Sequence, residues 1–411
     1  AFSDELGTGL AALGLEAARA IDEADLVILN SCVVRQSAEN RVTARVDSLK
    51  SLKKSKQGTV IVLAGCMVDS GTELMRRFPH VDLFTRPGES APVLDLVRAR
   101  AWTGTGSRSA VKPPTAFVTI IEGCDNFCSY CIVPYRRGRE RSRPVEEIVR
   151  QVERLAQSGV KEVTLLGQNV DSYGHDLAGK PDLAALLTIV EQIDGLARVR
   201  FLTSHPKDMS LKLIRAVASL PKVCESINLP AQSGDDCILK AMRRGYTSDD
   251  YRALVRLIRE HIPAVAISTD IIVGFPGETE EQFRNTLELL TETRFDLVHV
   301  AAYSPRPGTI AARTLKDDVP AAVKSRRLHE VEKVQAATAS EINAGMAGRS
   351  LEVLVEGRKN GRWFGRTRSG KLVFFDHDAD LLGAMALVEI DRTSPWALQG
   401  RLAAPARAGS G

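Results

Sequence analysis

The chain has 411 residues, 44% of them hydrophobic and 26% charged, which excludes a disordered or fibrous protein and asks for two or three domains. No apolar run reaches the length of a membrane span and no basic-then-apolar leader opens the chain, so a cytoplasmic protein without a membrane partner is expected. A net charge of +4 permits an acidic partner without demanding one.

Residues 1–100 alternate helical patterns with buried strands at Asp25–Asn30 and Thr59–Ala64, the pattern of a small parallel α/β domain. Ala1 is not a start methionine and leads straight into a helical pattern, so the chain looks clipped there, with a first strand missing. Residues 101–114 read as a Gly/Ser/Pro linker. From 115 to 347 the alternation is regular. Strands are expected near Phe117, Glu162, Val199, Glu225, Val265 and Leu297, with a clear amphipathic helix over Val145–Leu155 and a long helix over 320–347. Six strands with helical crossovers predict a partial parallel (β/α)6 barrel, with functional groups at the C-terminal strand ends. After Gly348 short glycine-punctuated strands predict a small all-β barrel over 348–403, and 404–411 read as a disordered tail.

Seven cysteines, an odd number, point to reduced metal ligands and not to a disulfide framework. Cys124, Cys128 and Cys131, spaced C-x3-C-x2-C, follow the first barrel strand (Phe117–Ile121). A structural zinc site wants a fourth ligand, and a ferredoxin wants four cysteines at tighter spacing. Three close thiolates suit a four-iron cluster with one iron open, which binds S-adenosylmethionine and passes it an electron. A partial zinc knuckle on a non-catalytic RNA-binding protein is the competing reading, and it predicts bound zinc. Cys32 and Cys66 each follow a strand of the first domain, at the edge where parallel sheets hold ligands. Two thiolates are too few for a cubane, so a third ligand is expected on the missing strand. Cys224 and Cys237 read as packed apolar thiols.

The run Gly123–Pro144 (GCDNFCSYCIVPYRRGRERSRP) resembles the signature of the radical S-adenosylmethionine methylthiotransferases, closest to the tRNA-modifying MiaB type. Leu165–Gly174 (LLGQNVDSYG), Thr203–Met209 (TSHPKDM), Leu229–Gly234 (LPAQSG), Ser268–Thr279 (STDIIVGFPGET) and Tyr303–Thr309 (YSPRPGT) match in the same order, and the last domain resembles a TRAM domain. The resemblance implies two four-iron clusters: one on Cys124, Cys128 and Cys131, and an auxiliary one to which Cys32 and Cys66 give two of three ligands. It implies that Gln168 and Asn169 meet the methionine amino group, that Gln232 and Ser233 reach the ribose or carboxylate, and that Gly274 shapes a turn near the adenine. His205 is a weaker candidate, as often a capped turn as a site residue.

The implied reaction adds a methylthio group to carbon 2 of isopentenyladenosine beside the anticodon of tRNA, with a flavodoxin-like or ferredoxin-like electron donor and a monomeric enzyme. Sibling enzymes act on threonylcarbamoyladenosine in tRNA or on an aspartate of a ribosomal protein. Leu166–Val170 (LGQNV), Asn126-Phe127 and the Arg139–Arg143 run favour isopentenyladenosine. For RNA contact, Arg136, Arg137 and Arg139 crowd the segment after the cysteines, with Arg141 and Arg143 beyond them. Arg358, Lys359, Arg362, Arg366, Arg368 and Lys371 surround Trp363 in the small barrel, basic groups for phosphates and an aromatic for bases.

Overall fold

The computed structural model describes residues 2–31, 36–68, 73–100, 102 and 113–403. Cys32, most of the linker and the 404–411 tail lie outside the described residues. The chain divides into two compact units.

The first unit comprises 1–111 with the segments 131–139 and 306–309. Its sheet is three parallel strands in the order β1 (Leu26–Ser31), β2 (Val60–Gly65), β3 (Leu83–Thr85). Every residue of β2 is buried, as a central parallel strand covered on both faces must be. Alternate side chains go to opposite faces. Ile61 and Leu63 meet Val46, Leu49 and Leu52 of helix Gln36–Ser55, whereas Val60 and Val62 meet Leu6 and Val93 of helices Phe2–Ala12 and Ala91–Ala99. Ile132, from the segment after the cysteine motif, packs into the first of these clusters beside Cys66 and Met67.

The second unit holds the open barrel. Parallel strands β4 (Thr115–Thr119), β7 (Glu162–Leu166) and β8 (Arg198–Phe201) form one sheet, and β9 (Ser226–Asn228), β10 (Ala266–Val273) and β11 (Leu297–Ala302) form the next. The sheets meet through a Val199–Val223 bridge, with Val199 N–H donating to the Lys222 carbonyl at 2.7 Å. The first barrel strand ends two residues earlier than its apolar run suggests. Ile120 N–H still donates to Leu166, but Ile121–Glu122 (β5) turns away to pair antiparallel with Arg141–Ser142 (β6). Helix Val145–Gln157 buries Ile148, Val152 and Ala156, the stripe its spacing implies, and Gly159 at φ 98° follows its end.

The long helix Ala321–Ala344 leads to a closed five-stranded barrel of β12 (Ser350–Lys359), β13 (Arg362–Thr367), β14 (Leu372–Asp376), β16 (Leu398–Leu402) and β15 (Met385–Thr393), in that order. Its core is Val353, Val355, Trp363, Val373, Phe375, Val388, Ile390 and Leu398. Trp363 is therefore only 5% exposed and donates its indole N–H to the His377 carbonyl. This corrects the expectation that it stacks on bases.

The turn between β13 and β14 seats the small barrel against the N-terminal ends of the large barrel's strands. Arg198 donates to the Arg366 carbonyl and to Glu352; Arg200 donates to the Thr367 and Arg368 carbonyls (both 2.7 Å) and to Glu162 (2.9 Å). In return Arg368 pairs with Glu225 at 2.6 Å and Lys371 with Asp296 at 2.8 Å. Arg368 and Lys371 are thus committed to holding two domains together, which corrects their assignment to an RNA face. No helix among the described residues is long and apolar enough to cross a membrane.

Candidate metal and cofactor site

Cys124 and Cys128 lie on the loop that leaves β5, in the second unit, and Cys131 opens the segment that belongs to the first. The backbone of the loop is tied at several points. Gly123 N–H donates to Gln168 Oε1 at 2.7 Å. Asp125 and Glu140 each accept the other's backbone N–H, at 3.1 and 3.2 Å. Ser129 N–H donates to the Met242 carbonyl and its hydroxyl to the Ala241 carbonyl. Gly123 and Phe127 have positive φ, 78° and 45°, the second uncommon for a bulky residue and a sign of a constrained loop.

None of Cys66, Cys124, Cys128, Cys131, Cys224 and Cys237 is in a disulfide. Burial pushes the Cys124 thiol up to about 11, so this sulfur ionises when a metal displaces its proton. Arg244 donates from Nη1 to Cys128 Sγ at 3.3 Å. A sulfur-only donor set on a tied loop, with a buried cation against one sulfur, fits an anionic iron–sulfur cluster. Within the second unit, neither of the other two described cysteines adjoins this loop in sequence. Cys224 sits at the opposite ends of the barrel strands, where burial again raises its thiol to about 11, beside Arg200 and Glu162. Cys237 is exposed on helix Asp236–Ala241 and is not the packed thiol expected.

The cofactor candidates follow the C-terminal ends of the strands. Gln168 spends its carbonyl oxygen on the cysteine loop. Asn169 is buried and donates to Asp208 Oδ2 at 2.7 Å, while its Oδ1 has no partner among the described residues. Gln232 adopts φ 70° and bridges Ile271, and Ser233, just ahead of helix Asp236–Ala241, meets Thr286 in the middle of helix Glu280–Thr293 at 3.3 Å. Gly274 adopts φ 69°, and a Cβ there would lie 2.3 Å from Lys324 Cγ, so the turn after β10 admits no side chain.

Sequence reasoning missed Arg244 and undervalued the loop after β8. Thr203 holds φ 74°, rare for a β-branched residue, ahead of Ser204 and His205. Asp171 accepts from Ser204 Oγ and His205 N–H, and burial raises its carboxyl to about 7. Burial, helped by the charge of Arg244, lowers His205 to about 3. These two groups pull stability in opposite directions. As pH rises from 3.8 to about 7, the unfolded Asp171 ionises while the folded one stays protonated, and stability falls. As pH rises from about 3 to 6.5, the unfolded imidazole loses its proton and stability climbs. Asp171→Asn removes the fall and leaves the climb. The urea midpoint of the metal-free variant should rise from pH 4 to 6.5 where the parent's stays nearly flat, by up to ~3 kcal/mol in unfolding free energy. Identical profiles for both would contradict the assignment.

In the first unit, Cys66 follows β2 across Gly65, whose φ is 98° and where a Cβ would lie 2.5 Å from the Ser31 carbonyl oxygen. That close approach joins the ends of β1 and β2: Cys66 N–H donates to Ser31 O, and Met67 N–H to Ser31 Oγ, both at 3.0 Å. Arg137 donates from Nε to Cys66 Sγ at 3.3 Å, so this guanidinium is engaged with a sulfur of its own unit instead of presented to the RNA phosphate expected of it. Arg136 and Arg139 are exposed.

An open parallel barrel with a C-x3-C-x2-C loop behind its first strand is the architecture of a radical S-adenosylmethionine enzyme. Residues 118–290 match the Radical SAM superfamily, 3–85 the Uncharacterized protein family UPF0004, and 345–403 the TRAM domain. The chain is 50% identical over 404 residues to a protein of Dehalococcoides mccartyi named tRNA-2-methylthio-N(6)-dimethylallyladenosine synthase, covering 98% of this chain and 95% of that protein. A protein of the same name from Chloroflexus aurantiacus is 47% identical, covering 97% and 88%. Among solved structures, the radical S-adenosylmethionine methyltransferase TsrM from Kitasatospora setae, determined with cobalamin and a [4Fe-4S] cluster, shares the fold at TM-score 0.53 and 14% identity, over 75% of this chain and 66% of that one. The chain belongs to the radical S-adenosylmethionine methylthiotransferase family, in the branch that modifies tRNA.

Proposed function

We propose that this protein adds a methylthio group to carbon 2 of N6-isopentenyladenosine in tRNA, at the position just 3′ of the anticodon. The observation that carries the reading is the tied three-cysteine loop behind the first strand of the barrel, in a chain whose near-full-length relatives bear the name of that activity. Cys124, Cys128 and Cys131 would hold the four-iron cluster that serves S-adenosylmethionine. When bound, that cluster would supply the electron for reductive cleavage of the sulfonium. Cys66, with Cys32, gives ligands to the auxiliary cluster that carries the sulfur.

The chain's own side chains position and shield. Gln168 anchors the cysteine loop through Gly123, leaving its amide nitrogen for the cofactor. Asn169 Oδ1, buried and without a partner among the described residues, suits the methionine ammonium. Gln232, Ser233 and Gly274 bound the nucleoside side of the mouth. Arg136, Arg139, Arg358, Lys359, Arg362 and Arg366 are the basic groups we assign to RNA phosphates. Unstacking the target base costs a few kcal/mol, offset by those contacts. A low-potential flavodoxin-like or ferredoxin-like donor, a monomeric enzyme and a cytoplasmic location complete the reading.

Anaerobically iron-loaded protein is incubated with a reductant, S-adenosylmethionine, and tRNA carrying either isopentenyladenosine or plain adenosine. Nucleoside mass analysis should show the methylthio adduct on the isopentenylated tRNA alone. Modification of threonylcarbamoyladenosine instead, or of neither tRNA, would overturn the substrate assignment.

A further inference from the structure

Arg244 is a buried cation, 4% exposed, and none of its partners among the described residues is a carboxylate. Nε donates to Tyr246 Oη at 3.0 Å and Nη2 to the Pro230 carbonyl at 2.9 Å, while the guanidinium lies 5.3 Å from the Tyr246 ring centroid. Those partners are neutral. The third contact is Nη1 to Cys128 Sγ at 3.3 Å. A buried charge without a counter-charge is costly enough that folded proteins avoid it. Its ionisable neighbours are the phenols of Tyr130 and Tyr246 and the Cys128 sulfur, and of these the sulfur is the one that a bound metal would hold as an anion.

We propose that Arg244 is the resident counter-cation of the cluster held by Cys128 and that it sets the cluster's reduction potential; the inference rests on the proposed role of the three cysteines. The charge balance gives the direction. A four-iron core of charge 2+ on three thiolates carries −1, and one electron from the low-potential donor takes the core to 1+ and the whole to −2, with no proton moved. A fixed cation against a ligand sulfur favours the more negative state, and N–H···S hydrogen bonds act in the same sense. The buried site strengthens both effects, because water cannot screen them. Arg244 is held by Tyr246 and Pro230, so its fork stays aimed at the sulfur before any electron arrives. It is a positioning residue, acting on the reaction through the cluster.

The test is an EPR-monitored redox titration of the iron-loaded protein and of Arg244→Gln and Arg244→Lys, with iron content measured for each. Arg244→Gln should make the reduced cluster about tenfold harder to populate, a shift of ~59 mV to more negative potential for a one-electron couple. Arg244→Lys, which keeps the charge and loses the fork, should fall between. A Gln variant with full iron content and the parent's midpoint overturns the inference and leaves the enzyme assignment standing. A parent that takes up no iron overturns the assignment itself. A second readout needs no variant. In parent protein labelled with 15N-arginine, the reduced cluster should show a hyperfine coupling from a guanidinium nitrogen, and absence of any such coupling also overturns the inference.

Discussion

Replacing any one of Cys124, Cys128 and Cys131 by alanine is expected to reduce 5′-deoxyadenosine formation to the level of a protein-free control. Two sulfurs cannot hold a four-iron cubane, so the loss should be complete and not graded. At Cys128 a second cost arises, because Arg244 then keeps its buried charge with only neutral partners. Cys66→Ala should behave differently. Its sulfur belongs to the first unit, beside Arg137, and is not one of the three cysteines of the C-x3-C-x2-C motif, so S-adenosylmethionine cleavage should continue while methylthiolation of tRNA stops. Chromatography of deoxyadenosine and mass analysis of nucleosides from the same reaction separate the two effects. Equal loss of both products in Cys66→Ala would merge the roles assigned to the two sets of cysteines.

Arg200→Ala is expected to cost the fold ~3–5 kcal/mol, the range for breaking a buried ion pair by removing one partner. Arg200 is 8% exposed and spends its guanidinium on Glu162 and on the Thr367 and Arg368 carbonyls. Without it, the buried Glu162 carboxylate keeps only Arg198, at 3.9 Å, among the described residues, and two carbonyls lose their donor. The small barrel should loosen first, since those carbonyls are its footing on the larger one. Scanning calorimetry should show a lower or split transition, and limited proteolysis should release a fragment beginning near residue 345. Unchanged melting and an intact chain would mean that the small barrel is held by other contacts. Arg200→Lys should recover only part of the loss, because an ammonium cannot reproduce the fork.

What could be read from the chain followed from local physics. DLVILN and TVIVLA are apolar runs too short for helices and bounded by polar residues, and they became β1 and β2 within one residue. The three-cysteine motif carries its chemistry in its spacing, independent of fold. Long-range pairing was out of reach. Arg198 and Arg200 lie on β8, expected only as a strand near Val199; they are buried by a hairpin 168 residues further on. Arg368 and Lys371 looked like phosphate ligands because their acidic partners, Glu225 and Asp296, lie in another domain. Arg137 was misread for the same reason, its partner Cys66 being 71 residues away. Trp363 shares a face with Gly365 and Thr367, and only the register of β13 against its neighbours decides that this face is the inner one.

EPR of the reduced, iron-loaded protein with and without S-adenosylmethionine tests the central claim most directly. If Cys124, Cys128 and Cys131 leave one iron open, adding S-adenosylmethionine to a Cys66→Ala variant, which isolates that cluster, should change the spectrum of the remaining [4Fe–4S] signal. A spectrum indifferent to S-adenosylmethionine, or a colourless protein carrying zinc at those cysteines, would contradict the account.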